Sequence, residues 1–177
     1  PPRTEYSSKA EAKKVPNALF LRLNMKYFKK FAELEESEWL AKARLCAGGH
    51  IIKDAKGKRV IIEMPVFITP PSLSSNRLME IATTIDEDKA AQVDLDAAYL
   101  HSEMGGFPIF VSVDREYLCE GGKLLKDPVY PLKKALYGVP RSGADWDKFA
   151  DNELKNLGWC SINQIADGDH SIYVRLP

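Results

Sequence analysis

The chain has 177 residues, 45% apolar and 28% charged, the profile of a soluble globular protein of one domain or one domain with a small appendage. Its 25 basic and 25 acidic residues cancel to zero net charge, which argues against holding nucleic acid by bulk electrostatics but leaves a local basic groove open. No apolar run reaches the length needed to cross a bilayer, and three scattered cysteines, Cys46, Cys119 and Cys160, show neither metal-ligand spacing nor a disulfide framework. They are expected to be reduced and mostly buried, in an intracellular compartment. His50, His101 and His170 are equally scattered. The start at Pro-Pro-Arg, without methionine or a signal-peptide pattern, reads as a processed product or an excised piece.

Residues 1–14 are polar and read as a flexible lead-in. Residues 15–23 have the apolar character of a strand. The basic stretch 24–30 and the acidic stretch 33–38 read together as a solvated connection. Residues 39–46 alternate, with Lys42 and Arg44 on one face, and predict a strand ended by Gly48-Gly49. A hairpin follows, with Asp54-Ala55-Lys56-Gly57 as its turn between residues 51–52 and 59–64. Beyond Pro70-Pro71, the spacing of Leu78, Ile81, Ala82 and Ile85 predicts a helix capped by Ser72 or Ser74.

Residues 92–100, Gln-Val-Asp-Leu-Asp-Ala-Ala-Tyr-Leu, are the most informative stretch. Read as a strand, Val93, Leu95 and Ala97 face one side while Asp94 and Asp96 face the other. Two carboxylates on an otherwise apolar strand need a cation, a basic partner or water. A divalent metal at the rim of a sheet satisfies that need, and so does an edge strand with a solvated acidic face. After a turn at Gly105-Gly106, residues 108–113 predict another strand, and residues 117–126 a loop. Gly121-Gly122-Lys123 lacks the flanking residues of a phosphate loop. Ser142 is expected to cap a helix whose apolar face is Trp146, Phe149, Ala150, Leu154 and Leu157, with Gly158 terminating it and Trp159 folding back. Residues 171–176 predict a last strand. The whole is an α+β pattern, helices on one face of a mostly antiparallel sheet.

Three motifs in order carry a resemblance: Lys-Ala-Arg-Leu at 42–45 with Gly48-Gly49, Val-Asp-Leu-Asp-Ala-Ala-Tyr-Leu at 93–100, and Leu-Lys-Lys-Ala-Leu-Tyr-Gly at 132–138 with Trp146. From about Val15 onward the chain resembles the reverse transcriptase of copia-type retrotransposons. The resemblance implies a fingers-like region over 15–89 and a partial palm over 90–177. It implies nucleotidyl transfer on primer-template nucleic acid with deoxynucleotide substrates and magnesium. Asp94 would be the catalytic metal ligand, joined by the backbone carbonyl of Leu95. Tyr99 would sit under the sugar and exclude a 2′-hydroxyl. Arg44, with Lys42 beside it, would contact the triphosphate, since planar guanidinium donors pair with phosphate oxygens. Arg141, in the turn at 138–142 that supports the template base and nucleotide, completes the nucleotide-binding set.

The chain also departs from that pattern. It ends at Pro177 before the aromatic-x-Asp-Asp turn that brings two further carboxylates, so the expectation is a relict that does not polymerise alone. Arg141 and Gly143 replace the usual glutamine and proline, and Asp96 stands where a basic or polar residue is common. The alternative is a non-catalytic structural or accessory subunit that works through protein partners.

Overall fold

A computed structural model describes residues 6–62, 72–85, 95–164 and 171–175. Its centre is a long strand. The apolar run that opens at Ala18 continues as β2, Leu19–Lys30, after β1 (Ser7–Ser8) and α1 (Lys9–Ala12). Leu19, Phe20 and Leu21 at the start of β2 are buried on both faces, and the second half projects into solvent. Residues 24–30, expected to be a solvated connection, are therefore strand. Their alternation of Met25 and Tyr27 with Lys26, Phe28 and Lys30 suits a pleated ribbon, and β3 (Leu40–Ala47) pairs with them antiparallel from Leu23↔Ala47 to Lys30↔Leu40. The acidic segment between them is exposed and carries a 3-10 turn, Glu36–Glu38.

β4 (Ile52–Asp54) and β5 (Arg59–Val60) form the expected hairpin. Asp54 Oδ1 accepts from the Lys56 and Lys58 amides at 2.9 and 2.8 Å, fixing the turn. α2 (Leu73–Ile85) begins beside Ser72, whose Oγ accepts from the Ser75 amide at 3.0 Å. β6 (Ile109–Ser112), the short α3 (Glu120–Lys123), β7 (Pro128–Pro131) and α4 (Ser142–Asn156) follow. α3 lies where a loop was expected. Finally, β8 (Cys160–Ser161) and β9 (Tyr173–Val174) make a separate two-stranded sheet. No helix among the described residues is long and apolar enough to cross a membrane.

The main sheet runs β1-β7-β6-β2-β4-β5, with β3 on the far half of β2. It is mixed. β2 and β6 are parallel, from Leu19↔Ile109 to Arg22↔Ser112, which corrects the antiparallel expectation. A long crossover separates these two strands, and such a connection, unlike a tight turn, returns the chain in the same direction. Side chains alternate across β2. Leu19, Leu21 and Leu23 join Ile109, Val111, Leu136 and Val139 on one face. Phe20 stacks on Phe110, centroids 5.6 Å apart, with Val129 and Ala12 of α1 on the other. Among the described helices, α1 contributes Ala12 to the second of these faces. α1 is held by a capping box between Ser8 and Glu11, and β1 pairs with β7, so residues 7–12 of the expected lead-in are docked on the sheet. The three cysteines are free and half-buried.

Candidate functional site

Pairing across the β2–β3 ribbon places Lys26 opposite Arg44, Phe28 opposite Lys42 and Lys30 opposite Leu40. Directly opposed residues point to the same side. One face therefore carries Lys26, Lys30, Lys42 and Arg44 around Phe28, with the Arg44 guanidinium carbon 5.8 Å from the Phe28 ring centroid. The crowding of like charge is felt at Lys42. The ammonium of Lys30 beside it, then Arg44, hold its pKa below the ordinary lysine value. The opposing influence comes from the Asp96 carboxylate, which brings the loop after residue 94 into electrostatic range of the ribbon. On the other face, Lys29 Nζ lies 3.4 Å from the Trp39 ring centroid. Tyr27 and Tyr117 join their hydroxyls at 2.7 Å.

The base of the ribbon is clamped by a segment remote in sequence. The Ala47 amide donates to the Tyr137 carbonyl at 2.7 Å, and the Gly48 amide to the Arg22 carbonyl at 2.8 Å. Gly138 adopts φ +91°, and a methyl group there would overlap the Ala47 carbonyl oxygen. Tyr137 in turn stacks on Tyr99, centroids 4.6 Å apart at a 31° tilt.

Tyr99 belongs to a 3-10 turn, Ala98–His101, and not to a strand end. Leu95 is irregular and exposed, and Asp96-Ala97 forms a turn with Ala97 at φ 52°. That left-handed residue breaks the period of two and turns the expected alternation into a tight corner. His101 Nε2 lies 3.2 Å from the Asp96 carbonyl, and buried Ser102 donates to the Tyr99 carbonyl at 3.0 Å. α4 packs against this turn, and its Trp146 ring is 6.5 Å from His101 and 5.7 Å from Phe149.

Ser142 does not cap α4. The cap position is Arg141, and the fully buried Ser142 hydroxyl donates to the Leu136 carbonyl at 2.8 Å and accepts from the Leu136 amide at 3.0 Å. It ties the Leu136-Tyr137-Gly138 turn to the helix. Arg141 is gripped by Asp145, Nε to Oδ2 at 2.8 Å and a terminal nitrogen to Oδ1 at 2.7 Å. Asp145 also accepts from the Gly105 amide at 3.2 Å. Both side chains are largely buried, 14% and 10% exposed, and Gly105-Gly106 lies directly on the guanidinium. At the far end of α4, Gly158 at φ +85° and the Trp159 amide bonded to the Leu154 carbonyl close the helix as expected, while Leu157 points to solvent.

Of the sequence-predicted residues, Lys42 and Arg44 share the ribbon face, Tyr99 meets Tyr137, and Arg141 is tied to Asp145 below the Gly105-Gly106 turn. Asp94 lies outside the described residues, as do His170 and residues 63–64 of the hairpin. Among the described residues no group of three or more His, Cys, Asp or Glu side chains is placed to hold a metal ion. Of the magnesium ligands that the resemblance implies, only Leu95 is among the described residues. Sequence reasoning missed Lys26, Phe28 and Lys30, although their period of two was visible. It also missed the Arg141–Asp145 pair, signalled only by a spacing of four on a helix start.

The arrangement defines an α+β domain with a mixed sheet and a projecting basic ribbon, its base locked beside a tyrosine pair. Over 83 residues, 47% of this chain, it is 30% identical to a Saccharomyces cerevisiae protein whose name assigns it to transposon Ty5-1. The matched stretch spans 24% of that protein's length. No family model and no solved structure matches.

Proposed function

We propose that the chain derives from the fingers and front palm of a retrotransposon reverse transcriptase and that its ribbon face contacts nucleic-acid or nucleotide phosphates. One observation supports the reading above others. Gly48-Gly49, Tyr99 and Leu136-Tyr137-Gly138, taken from the three separate motifs of the resemblance, meet at the base of a ribbon that carries Lys42 and Arg44. Similarity to a transposon protein agrees with it. In this reading Lys42 and Arg44, with Lys26 and Lys30, neutralise phosphates. Tyr99, braced by Tyr137, is a flat platform for a sugar. Asp94 and the Leu95 carbonyl are the magnesium ligands, and Arg141 sets the turn under the nucleotide through Asp145.

The test is fluorescence anisotropy of a labelled primer-template with the whole chain, with and without magnesium and deoxynucleotide. Binding is expected to weaken at least about tenfold in Lys42→Glu/Arg44→Glu, and any magnesium-dependent increment to vanish in Asp94→Ala. Equal binding by the ribbon variant and the parent chain would refute the assignment.

A second reading, a non-catalytic accessory subunit, is favoured by α2, whose Leu73, Leu78, Ile81 and Ile85 are 54–73% exposed. It requires a stable protein partner. A monodisperse, soluble monomer at high concentration would exclude it.

A further inference from the structure

The projecting ribbon sorts its charge along its length. Its face carries Lys26, Lys30, Lys42 and Arg44, set there by the β2–β3 register. The tip that joins the two strands carries Glu33, Glu35, Glu36 and Glu38, all exposed. Among the described residues, none of these carboxylates is paired with a ribbon cation. The carboxylate felt by Lys42 is Asp96, not one at the tip. The tip has a fixed shape: the Trp39 indole donates to the Leu34 carbonyl at 3.0 Å, the Leu34 amide donates to the Phe31 carbonyl at 3.0 Å, and Lys29 sits over the Trp39 ring. Held in that shape, the tip leaves its carboxylates to solvent, and the two opposite charges of the ribbon stay unmatched within one chain.

The same ribbon exposes apolar side chains. Phe28, Phe31, Leu34 and Leu40 are 46–54% exposed, a local concentration of apolar surface of the kind that marks an interface. Leu40, opposite Lys30, lies on the basic face with Phe28. A surface with a basic end, an acidic end and apolar residues between them is complementary to a copy of itself turned by half a rotation. A two-fold axis near Leu40 lays each acidic tip over the cations of the other copy. Exposed ion pairs alone contribute little, so the apolar centre supplies the attraction and the charges fix the antiparallel register. We propose that the ribbon is a self-association surface, pairing antiparallel with the ribbon of a second copy so that the glutamates of each tip meet Lys26, Lys30, Lys42 and Arg44 of the other around Phe28 and Leu40. The inference stands on the ribbon's charges and exposed apolar residues and not on the polymerase reading. A nucleic-acid strand and a second copy compete for the same cations.

The experiment is sedimentation velocity of the whole chain, freed of nucleic acid, over a concentration series at low and at high salt. A concentration-dependent dimer is expected, weakened by salt. Lys26→Glu/Lys42→Glu/Arg44→Glu makes both ends of the ribbon acidic, and Glu33→Lys/Glu35→Lys/Glu36→Lys makes both ends basic. Each is expected to raise the dissociation constant of the dimer at least about tenfold, because like charges then face each other. Mixing the two variants restores opposite charge at both contacts and is expected to restore a dimer. Lys56→Glu/Lys58→Glu, on the exposed β4–β5 turn, changes charge in the same sense as the first variant and is expected to leave the dimer unaltered. Circular dichroism checks that each variant is folded. A parent chain that stays monomeric throughout the series would overturn the proposal. So would reversal variants that dimerise as the parent does, or a mixture of the two that stays monomeric. A monomer would leave the phosphate reading of Lys42 and Arg44 standing, since that reading needs no second copy.

Discussion

A methyl group added at Gly49 would overlap the carbonyl oxygen of Gly138 and press on the Pro140 ring at 2.8 Å. The strand end and the Leu-Tyr-Gly turn therefore pack backbone against backbone, at a distance only glycine allows. This contact joins the first and third motifs, and the Tyr99–Tyr137 ring pair brings in the second.

Gly138→Ala is expected to destabilise the fold by about 2–3 kcal/mol or more, since it adds a side chain at φ +91° and drives it into the Ala47 carbonyl. Gly57 is the internal comparison. It has φ +86° with nothing within 4 Å of an added methyl, so Gly57→Ala should incur backbone strain alone, about 1 kcal/mol. Urea denaturation of both variants separates contact from conformation, and equal losses would show that the close approach contributes nothing.

Asp145→Ala leaves the Arg141 guanidinium largely buried without its bidentate partner. The cost should fall toward the lower end of the roughly 3–5 kcal/mol seen when one member of a buried pair is removed, because both side chains keep some contact with water. Replacing both members with apolar residues of similar volume should restore much of the loss. A double-mutant cycle by denaturant melts reads this directly.

Alkaline stability should depend on Tyr130. Burial first, and then its hydrogen bond with the Cys119 thiol, push its phenol from the ordinary 10.0 up to about 12. The folded state therefore holds the neutral form more tightly than the unfolded chain does. Its contribution is intact below pH 10 and is lost as pH rises from 10 toward 12. Tyr173, half-buried and bonded to Asp151 at 2.9 Å, shifts in the same direction. Tyr130→Phe should flatten part of the decline in stability above pH 10. An unchanged slope would mean that Tyr130 titrates alike in both states.

Nucleic-acid binding by the ribbon should be strongly salt-dependent. Each phosphate contact removed, as in Lys26→Ala or Arg44→Ala, should lower the slope of log K against log salt by about 1. Loss of affinity with no change of slope would point to damaged packing around Phe28 instead.

Much of the local architecture could be read from residue patterns. Period two marked β3, an apolar run marked β6, the Asp54–Gly57 turn marked a hairpin, and helical spacing with Gly158 marked α4 and its end. The same reasoning failed where a local pattern had two solutions. Residues 24–30 looked like a charged connection because their period of two is outweighed locally by charge, and pairing with β3 is what makes Lys26, Phe28 and Lys30 one strand face. Residues 92–100 read as a strand, yet Ala97 at φ 52° makes the described part, from Leu95 on, a corner held by the His101 ring at the Asp96 carbonyl. Ser142 sits where caps are found, but its hydroxyl is used by Leu136 in a contact that spacing cannot reveal.

Taken alone, the order of residues determined the β4–β5 hairpin, β3, β6 and α4, which side Lys42 and Arg44 share, and which motifs resemble a polymerase. Those properties follow from alternation, capping and turn chemistry, all short-ranged. Tertiary structure alone decided that β2 and β6 run parallel, that Tyr99 lies on Tyr137, that Asp145 holds Arg141 beneath Gly105-Gly106, and that Phe20 stacks on Phe110 in the core. Each of these depends on register between distant segments, and register is set by how the whole core fills space, not by any single stretch of chain.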